Sequence, residues 1–188
     1  ANLPDHESLY SGFAHRFTTE EEICHLLEGL KRLYVEFGSI EAFLSMNVKG
    51  EQDLISSLDR LILFLENISG VKRSSLLSRP ARGSACKRHF LFLKWMTRRD
   101  EVDPGGWKKI TPDQLIMPVD THIFSIATSL GMTRYKQANL KAAVEITQAF
   151  RTIVPDDPTK YDFVLTRFGI RSEMKKTDLL RMCSIPEQ

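Results

Sequence analysis

Apolar positions recur at three- and four-residue spacing through most of the chain, the period of a helix with one buried face. Ile23, Leu26, Leu27, Leu30, Leu33 and Tyr34 form the first such stripe. They predict a helix over 20–37, capped by Thr18 or Thr19 and ended by Gly38. Ser39 then caps a short segment, Ile40–Met46. Leu54, Ile55, Leu58, Leu61, Ile62 and Leu65 predict a second long helix, opened at Gly50 and closed at Gly70. A Ser/Arg/Pro/Gly-rich connection follows over 71–83.

Ser84 is the expected start of the next helix, with Cys86, Phe90, Leu91, Leu93 and Trp95 inside it and its end by Arg99. Asp100–Trp107 holds Pro104-Gly105-Gly106 and reads as a surface turn. Thr111-Pro112 matches an N-cap and first helical position for a short helix through Met117. Asp120 caps a helix to Leu130 with Ile123, Phe124 and Ala127 inward, and Gly131 closes it. Further helices are expected from Asn139 to Phe150, from Asp156-Asp157-Pro158 to Phe168, and within the tail 172–183. Strand alternation, internal repeats and low-complexity tracts are not seen. The chain is therefore expected to be all-α, with eight or nine helices in two lobes, 1–70 and 71–188, forming one compact unit.

Composition narrows the class. With 188 residues, 42% hydrophobic and 27% charged, the chain can build a full core, and disordered, collagen-like and coiled-coil classes are excluded. No apolar run approaches the roughly 18 residues of a membrane span, so no membrane partner is expected. The start, Ala1-Asn2-Leu3-Pro4-Asp5, shows neither a basic nor an apolar leader region. Three scattered cysteines, Cys24, Cys86 and Cys183, argue against a disulfide framework and for a cytoplasmic setting. The histidines, His6, His15, His25, His89 and His122, show no ligand spacing, so neither a metal nor a cofactor is expected.

Net charge is only +2, but its distribution is uneven. Residues 71–109 hold eleven Lys/Arg against three acids, while the remainder holds fifteen basic and twenty-one acidic residues. A basic face of this kind suits a polyanion, most often nucleic acid. The plainer account is a set of solvated helix faces. Within this stretch Gly83-Ser84-Ala85-Cys86-Lys87-Arg88 reads as a small-residue helix start, whose unpaired N–H groups suit a phosphate. Further on, Asp120 opens a helix, which favours its anion; an aspartate N-cap needs no catalytic role to explain it.

Val119-Asp120-Thr121-His122-Ile123-Phe124 closely resembles the signature of the helix-hairpin-helix base-excision DNA glycosylases, in particular the endonuclease III branch. The resemblance implies that Asp120 stabilises the cationic sugar or activates the nucleophile, and that Lys87 attacks the anomeric carbon. The 33-residue gap from Lys87 to Asp120 and the lack of a Leu-Pro-Gly-Val-Gly hairpin depart from endonuclease III. They are more similar to the archaeal 8-oxoguanine glycosylases and to a related bacterial family of uncharacterised proteins. Gly83–Gly106, Lys160-Tyr161-Asp162-Phe163 and Phe168-Gly169-Ile170 carry that likeness, which spans about 80–170. Relatives carry more sequence ahead of residue 1, so a helix or two of the first lobe is expected to be lacking. No four-cysteine tail for an iron–sulfur cluster is present.

The expectation is thus a two-lobed helix-hairpin-helix glycosylase fold. The implied activity is excision of a damaged base, an 8-oxoguanine-like purine, from double-stranded DNA, with or without lyase action. Such an enzyme must flip the nucleotide out of the duplex. Phosphates would be held by Arg79, Arg82, Arg88 and the backbone at Gly83 and Ser84. Arg82 and Arg88 are also the cations expected beside Lys87. Phe90, Trp107 and His122 are the candidate base-pocket residues, while Phe92 and Trp95 are assigned to the core. The chain is expected to act as a nucleoid-associated monomer. Two rival readings are a binding module of the same fold without catalysis, and a helical protein-interaction domain.

Overall fold

The computed structural model describes residues 10–15, 18–46, 48–69, 76–170 and 173–183. Eight α-helices dominate these residues: α1 (Glu20–Phe37), α2 (Ile40–Leu44), α3 (Glu51–Ser69), α4 (Lys87–Thr97), α5 (Thr121–Ser129), α6 (Leu140–Ile153), α7 (Asp162–Ile170) and α8 (Lys176–Cys183). Short 3₁₀ turns occupy Pro80–Arg82 and Pro112–Gln114. The protein is mostly helical, as the apolar periodicity predicts. A two-residue antiparallel ladder, Ala14–His15 with Thr18–Thr19, departs from the expectation of no strand. Among the described residues no helix is long and apolar enough to cross a membrane.

The chain divides into two compact units, 1–48 with 52–82, and 83–188 with 49–51. The division falls after Arg82.

In the first unit, Thr19 and Glu22 form a reciprocal capping box that starts α1. Leu33, Leu44, Leu54, Leu58 and Ile62 are almost fully buried and form the core. Phe37, Phe43 and Phe64 meet as a ring cluster, with the first two centroids 4.8 Å apart and edge-to-face. The Ser57 hydroxyl donates to the Leu44 carbonyl at 2.8 Å, satisfying a buried acceptor near the end of α2.

In the second unit, Phe90 and Leu93 of α4, Ile123, Ile126 and Ala127 of α5, and Ala142, Ala143 and Ile146 of α6 are buried with the segment Leu115–Met117. The extended segment needs a partner for its backbone. The Met117 N–H donates to the Thr147 hydroxyl at 2.9 Å, which in turn donates to the Ala143 carbonyl. Helix α5 packs on α7, and α7 on α8. The Lys176 ammonium donates to the carbonyl and hydroxyl of Ser125 on α5.

Several boundaries differ from the sequence expectation. Helix α4 begins at Lys87, three residues after Ser84, because Cys86 is left-handed. Asp156–Tyr161 forms turns, and α7 begins only at Asp162 and continues through Gly169. The Thr111-Pro112 signal produces a single 3₁₀ turn, and Leu115 returns to extended backbone. The closing position Gly70 and the tail positions 171–172 lie outside the described residues.

Candidate active site

Asp120 is the N-cap of α5. Its Oδ1 accepts from the backbone N–H groups of His122 and Ile123, at 2.9 and 2.8 Å. These are orphan donors of the first helical turn, and they fix the carboxylate plane. Oδ2 is left to face α4, where it accepts from Lys87 Nζ at 2.9 Å. Burial pushes the Asp120 carboxyl up, but the Ile123 N–H, Lys87 and the His122 N–H outweigh it and hold it below the ordinary value. The group is therefore an anion throughout the neutral range. Two residues that lie 33 apart in sequence are thus brought into contact by the starts of two helices.

The turn that delivers Lys87 is unusual. Gly83 has φ 77, and its carbonyl accepts from Leu140 N–H while Ser84 pairs with Asn139. The Cys86 N–H donates to the Ser84 hydroxyl at 3.2 Å. Cys86 itself has φ 47 and ψ 34, a left-handed conformation that costs a side-chain-bearing residue about 1–2 kcal/mol. Its carbonyl then accepts from His89 and Phe90 to start α4.

Lys87 forms one rim of a cavity of about 360 Å³. Leu91, Trp95, Val102, Phe163 and Thr166 supply its other walls, with Lys94 and Asp162 as the further charged groups. This volume suits one small heterocycle. Trp95 and Phe163 are partly open to solvent, 44% and 38% exposed. The Arg167 guanidinium covers the Phe163 ring at 4.4 Å.

Lys94 is nearly fully buried, and its Nζ bridges Asp103 Oδ1 at 3.2 Å and Asp162 Oδ2 at 3.1 Å. Arg98, one turn on, pairs with Asp103, and with Asp100 and Asp157 at 2.7 Å each. The network ties α4 to the start of α7 and to the turns at 100–103 and 157. Asp162 is pushed above its ordinary value chiefly by burial, with the charges of Asp120 and Asp103 adding to the rise and Lys94 opposing it. Asp120 and Asp162 thus share one electrostatic field and are displaced in opposite directions. That is the pattern of a carboxylate kept ionised beside one that carries a proton more easily.

The other sequence candidates fall as follows. Arg79 is tied to Asp59, which also accepts from the Ala81 N–H. Arg82 is bidentate on Glu66 at 2.7 and 3.1 Å. Both arginines brace the first unit, their donors turned to carboxylates of α3. Arg82 is engaged with Glu66, and the group that touches Lys87 Nζ is the Asp120 carboxylate. Arg88 is exposed beside Lys87. Gly83 and Ser84 are engaged with Asn139 and Leu140, upstream of the helix start and not at it.

Phe90 has no exposure and belongs to the core, so it walls no open pocket. Trp107 is half-buried and meets Phe92 edge-to-face, centroids 5.6 Å apart. His122 is exposed and enters the site through its backbone N–H. The aromatic wall comes instead from Trp95 and Phe163. Phe92 and Trp95, assigned to the core from sequence, are exposed, because α4 turns Lys94 inward in their place. Lys94, Asp103 and Asp162 were missed. The signal for Asp162 was its place in Lys160-Tyr161-Asp162-Phe163, one of the stretches carrying the resemblance.

A family profile matches residues 2–171, a span that includes Lys87, Asp120 and Asp162. The chain belongs to the DUF2400 family. Its description is a protein of unknown function. Neither the curated proteins nor the solved structures give a match. Helix α8 lies beyond the matched residues, while every charged group of the cavity lies within them. Among the described residues no cluster of His, Cys, Asp or Glu is arranged to hold a metal ion.

Proposed function

We propose that this DUF2400 chain is a DNA glycosylase with lyase activity, using Lys87 as nucleophile and Asp120 as the anion beside the sugar. The observation that carries the reading is the 2.9 Å contact of Lys87 Nζ with Asp120 Oδ2 at the rim of a partly aromatic cavity. Breaking an N-glycosidic bond builds positive charge on the sugar, and a fixed carboxylate stabilises it most where water is scarce. Asp120 meets that need: it is ionised, oriented by two N–H groups and only 14% exposed at its side chain.

In the proposed reaction the target nucleotide leaves the stack and its base enters the cavity. Nζ gives a proton to solvent and attacks the anomeric carbon. The bond to the base breaks, its electron pair leaves with the base, and the base takes a proton from water. Nζ then loses a second proton to solvent and the bond from the anomeric carbon to the ring oxygen breaks, that oxygen taking a proton, which leaves a protonated imine on Lys87. Trp95 and Phe163 offer ring faces for stacking. The preference for an oxidised guanine among lesions rests on the sequence resemblance, since Lys94 and Asp162 are committed to one another, and Lys94 also to Asp103.

The test is borohydride trapping on duplexes carrying 8-oxoguanine, uracil, an oxidised pyrimidine or an abasic site. Wild type is expected to give a covalent adduct on the 8-oxoguanine duplex, lost in Lys87→Gln. Asp120→Asn is expected to slow base release by at least about a hundredfold, the scale on which one electrostatic group acts. Base release without trapping, still requiring Asp120, means a water-using glycosylase. No adduct and no release on any duplex overturns the enzymatic reading and leaves DNA binding, measurable by its salt dependence.

A further inference from the structure

Helix α4 keeps one long side open to solvent. Arg88, Phe92, Trp95 and Arg99 follow one another at four-, three- and four-residue spacing, so they share one face of the helix. All four are exposed, while Leu93, Lys94, Thr97 and Arg98 between them are buried. The following turn extends this face. The N–H groups of Gly105 and Trp107 donate to the carbonyls of Trp95 and Met96, which lays residues 105–107 along the end of α4. The Trp107 ring then meets Phe92 edge-to-face. Lys108 and Lys109 directly follow it and are exposed.

Apolar side chains exposed singly are ordinary, but neighbouring ones mark a contact surface. The charges around these rings choose the partner. Three acids lie within 83–109, and two of them, Asp100 and Asp103, are held by Arg98. Glu101 is the exposed acid that remains against Arg88, Arg99, Lys108 and Lys109. Lysine is depleted at protein–protein interfaces, so rings set among these cations fit a polyanion better than a protein. A duplex offers such a surface its phosphates but keeps its base faces stacked inside. An unpaired strand offers both, and exposed rings with a basic flank are what such a strand needs.

We propose that the outer face of α4, with Trp107, binds an unpaired DNA strand: Phe92, Trp95 and Trp107 stack on bases, and Arg88 and Arg99 hold phosphates. The face spans about 16 Å from Arg88 to Arg99 at 1.5 Å per residue. That is room for about four nucleotides at 3.4 Å each. Trp95 also walls the cavity, so a strand whose target nucleotide enters the cavity continues directly onto this face. The choice of DNA over RNA rests on the proposed glycosylase reading; the stacking face does not.

The chain has two tryptophans, Trp95 and Trp107, and both lie on this face, so tryptophan emission reports it alone. The full chain is titrated with a short unstructured DNA strand without lesions, its duplex, RNA of the same sequence, and heparin as a polyanion without bases. The DNA strand is expected to quench the emission and to bind about tenfold more tightly than the duplex, while heparin leaves the emission unquenched. Phe92→Ala and Trp95→Ala are expected to weaken strand binding about tenfold each, the scale of one base–ring stack, and Trp95→Phe to keep it. Arg99→Gln is expected to lower the slope of log affinity against log salt by about 0.7, one phosphate contact. Unchanged thermal midpoints show that these surface variants fold. Strand binding without quenching, unaffected by Phe92→Ala, means charge alone and overturns the proposal. Tighter binding of the RNA overturns the choice of DNA. No strand binding, with self-association that Trp95→Ala removes, assigns the face to a second copy and also overturns it. None of these readouts needs chemistry. If the strand binds and quenches while no lesion traps an adduct, the stacking face stands and the enzymatic reading fails.

Discussion

Helix α4 carries two lysines, about two turns apart, and each meets aspartate, yet the two contacts have opposite character. Lys87 is 44% exposed at its side chain and meets one carboxylate across open rim. Lys94 is 2% exposed, meets two carboxylates, and continues through Asp103 into Arg98. The same chemical pair is therefore a half-exposed contact in one place and a fixed brace in the other. Water decides which. An exposed ion pair contributes about 0–1 kcal/mol and can be broken and remade during a reaction. A buried one costs much to desolvate, and losing one partner strands the other's charge. The brace in turn holds the start of α7, and so keeps Asp162 and Phe163 at the cavity that Lys87 borders.

The comparison breaks most directly at Asp103, which has no exposure and accepts from both Lys94 and Arg98. Asp103→Ala is expected to lower stability by about 3–5 kcal/mol, because two buried cations lose their shared anion. Urea denaturation measures this, and a thermal midpoint lower by about 10 °C accompanies it. A loss below about 1 kcal/mol would mean that water already reaches the network and that the two lysine contacts do not differ in kind.

A third titratable group of α4 sharpens the same point. Among the described residues no counter-charge repays the burial of His89, and its Nδ1 has no hydrogen-bond partner. Burial, with the charge of Arg88 adding to it, pushes His89 down from 6.5 to about 4. The folded protein thus holds the neutral imidazole, while the unfolded chain takes up a proton below pH 6.5. Stability present above that pH is lost as pH falls toward about 4, by about 3 kcal/mol at 1.36 kcal/mol per unit. Chemical denaturation at pH 7 and at pH 4.5 is expected to show most of this loss in wild type. In His89→Phe the drop between the two pH values shrinks by about 2 kcal/mol, and an unchanged drop would place its origin elsewhere.

What was legible in the sequence follows the same division between local and distant causes. Asp120 could be read because a capping aspartate and its motif neighbours are consecutive residues. The helical stripes of α1 and α3 could be read because their periodicity is local. The start of α4 could not, since nothing in Gly83-Ser84-Ala85-Cys86 announces a left-handed cysteine. Lys94 looked like an ordinary solvated lysine because its partners, Asp103 and Asp162, lie in a later turn and a later helix. Trp95 and Phe92 looked like core for the complementary reason. With Lys94 turned inward, they take the exposed side of α4 and Trp95 becomes available as a cavity wall. Arg79 and Arg82 stood out as phosphate contacts because their carboxylate partners, Asp59 and Glu66, belong to a preceding helix.

The smallest expected effect on stability is at the rim, and it is the one most tied to function. Lys87→Gln removes one half-exposed partner and is expected to move the thermal midpoint by no more than about 2–4 °C, the scale of 1 kcal/mol or less. Asp120→Asn keeps an N-cap acceptor for His122 and Ile123, since asparagine caps about as well as aspartate. It removes only the charge. Because the folded Asp120 lies below its ordinary 3.8, the stability it contributes is intact at neutral pH. That contribution is lost only as pH falls below 3.8 through the lower folded value. The variant is therefore expected to be slightly less stable than wild type at pH 7, with the difference closing on acidification. Thermal scans at pH 7 and pH 3 check both substitutions. A large stability loss in either would make the Lys87–Asp120 contact another brace like that of Lys94, and its place beside the cavity would then need no chemistry to explain it.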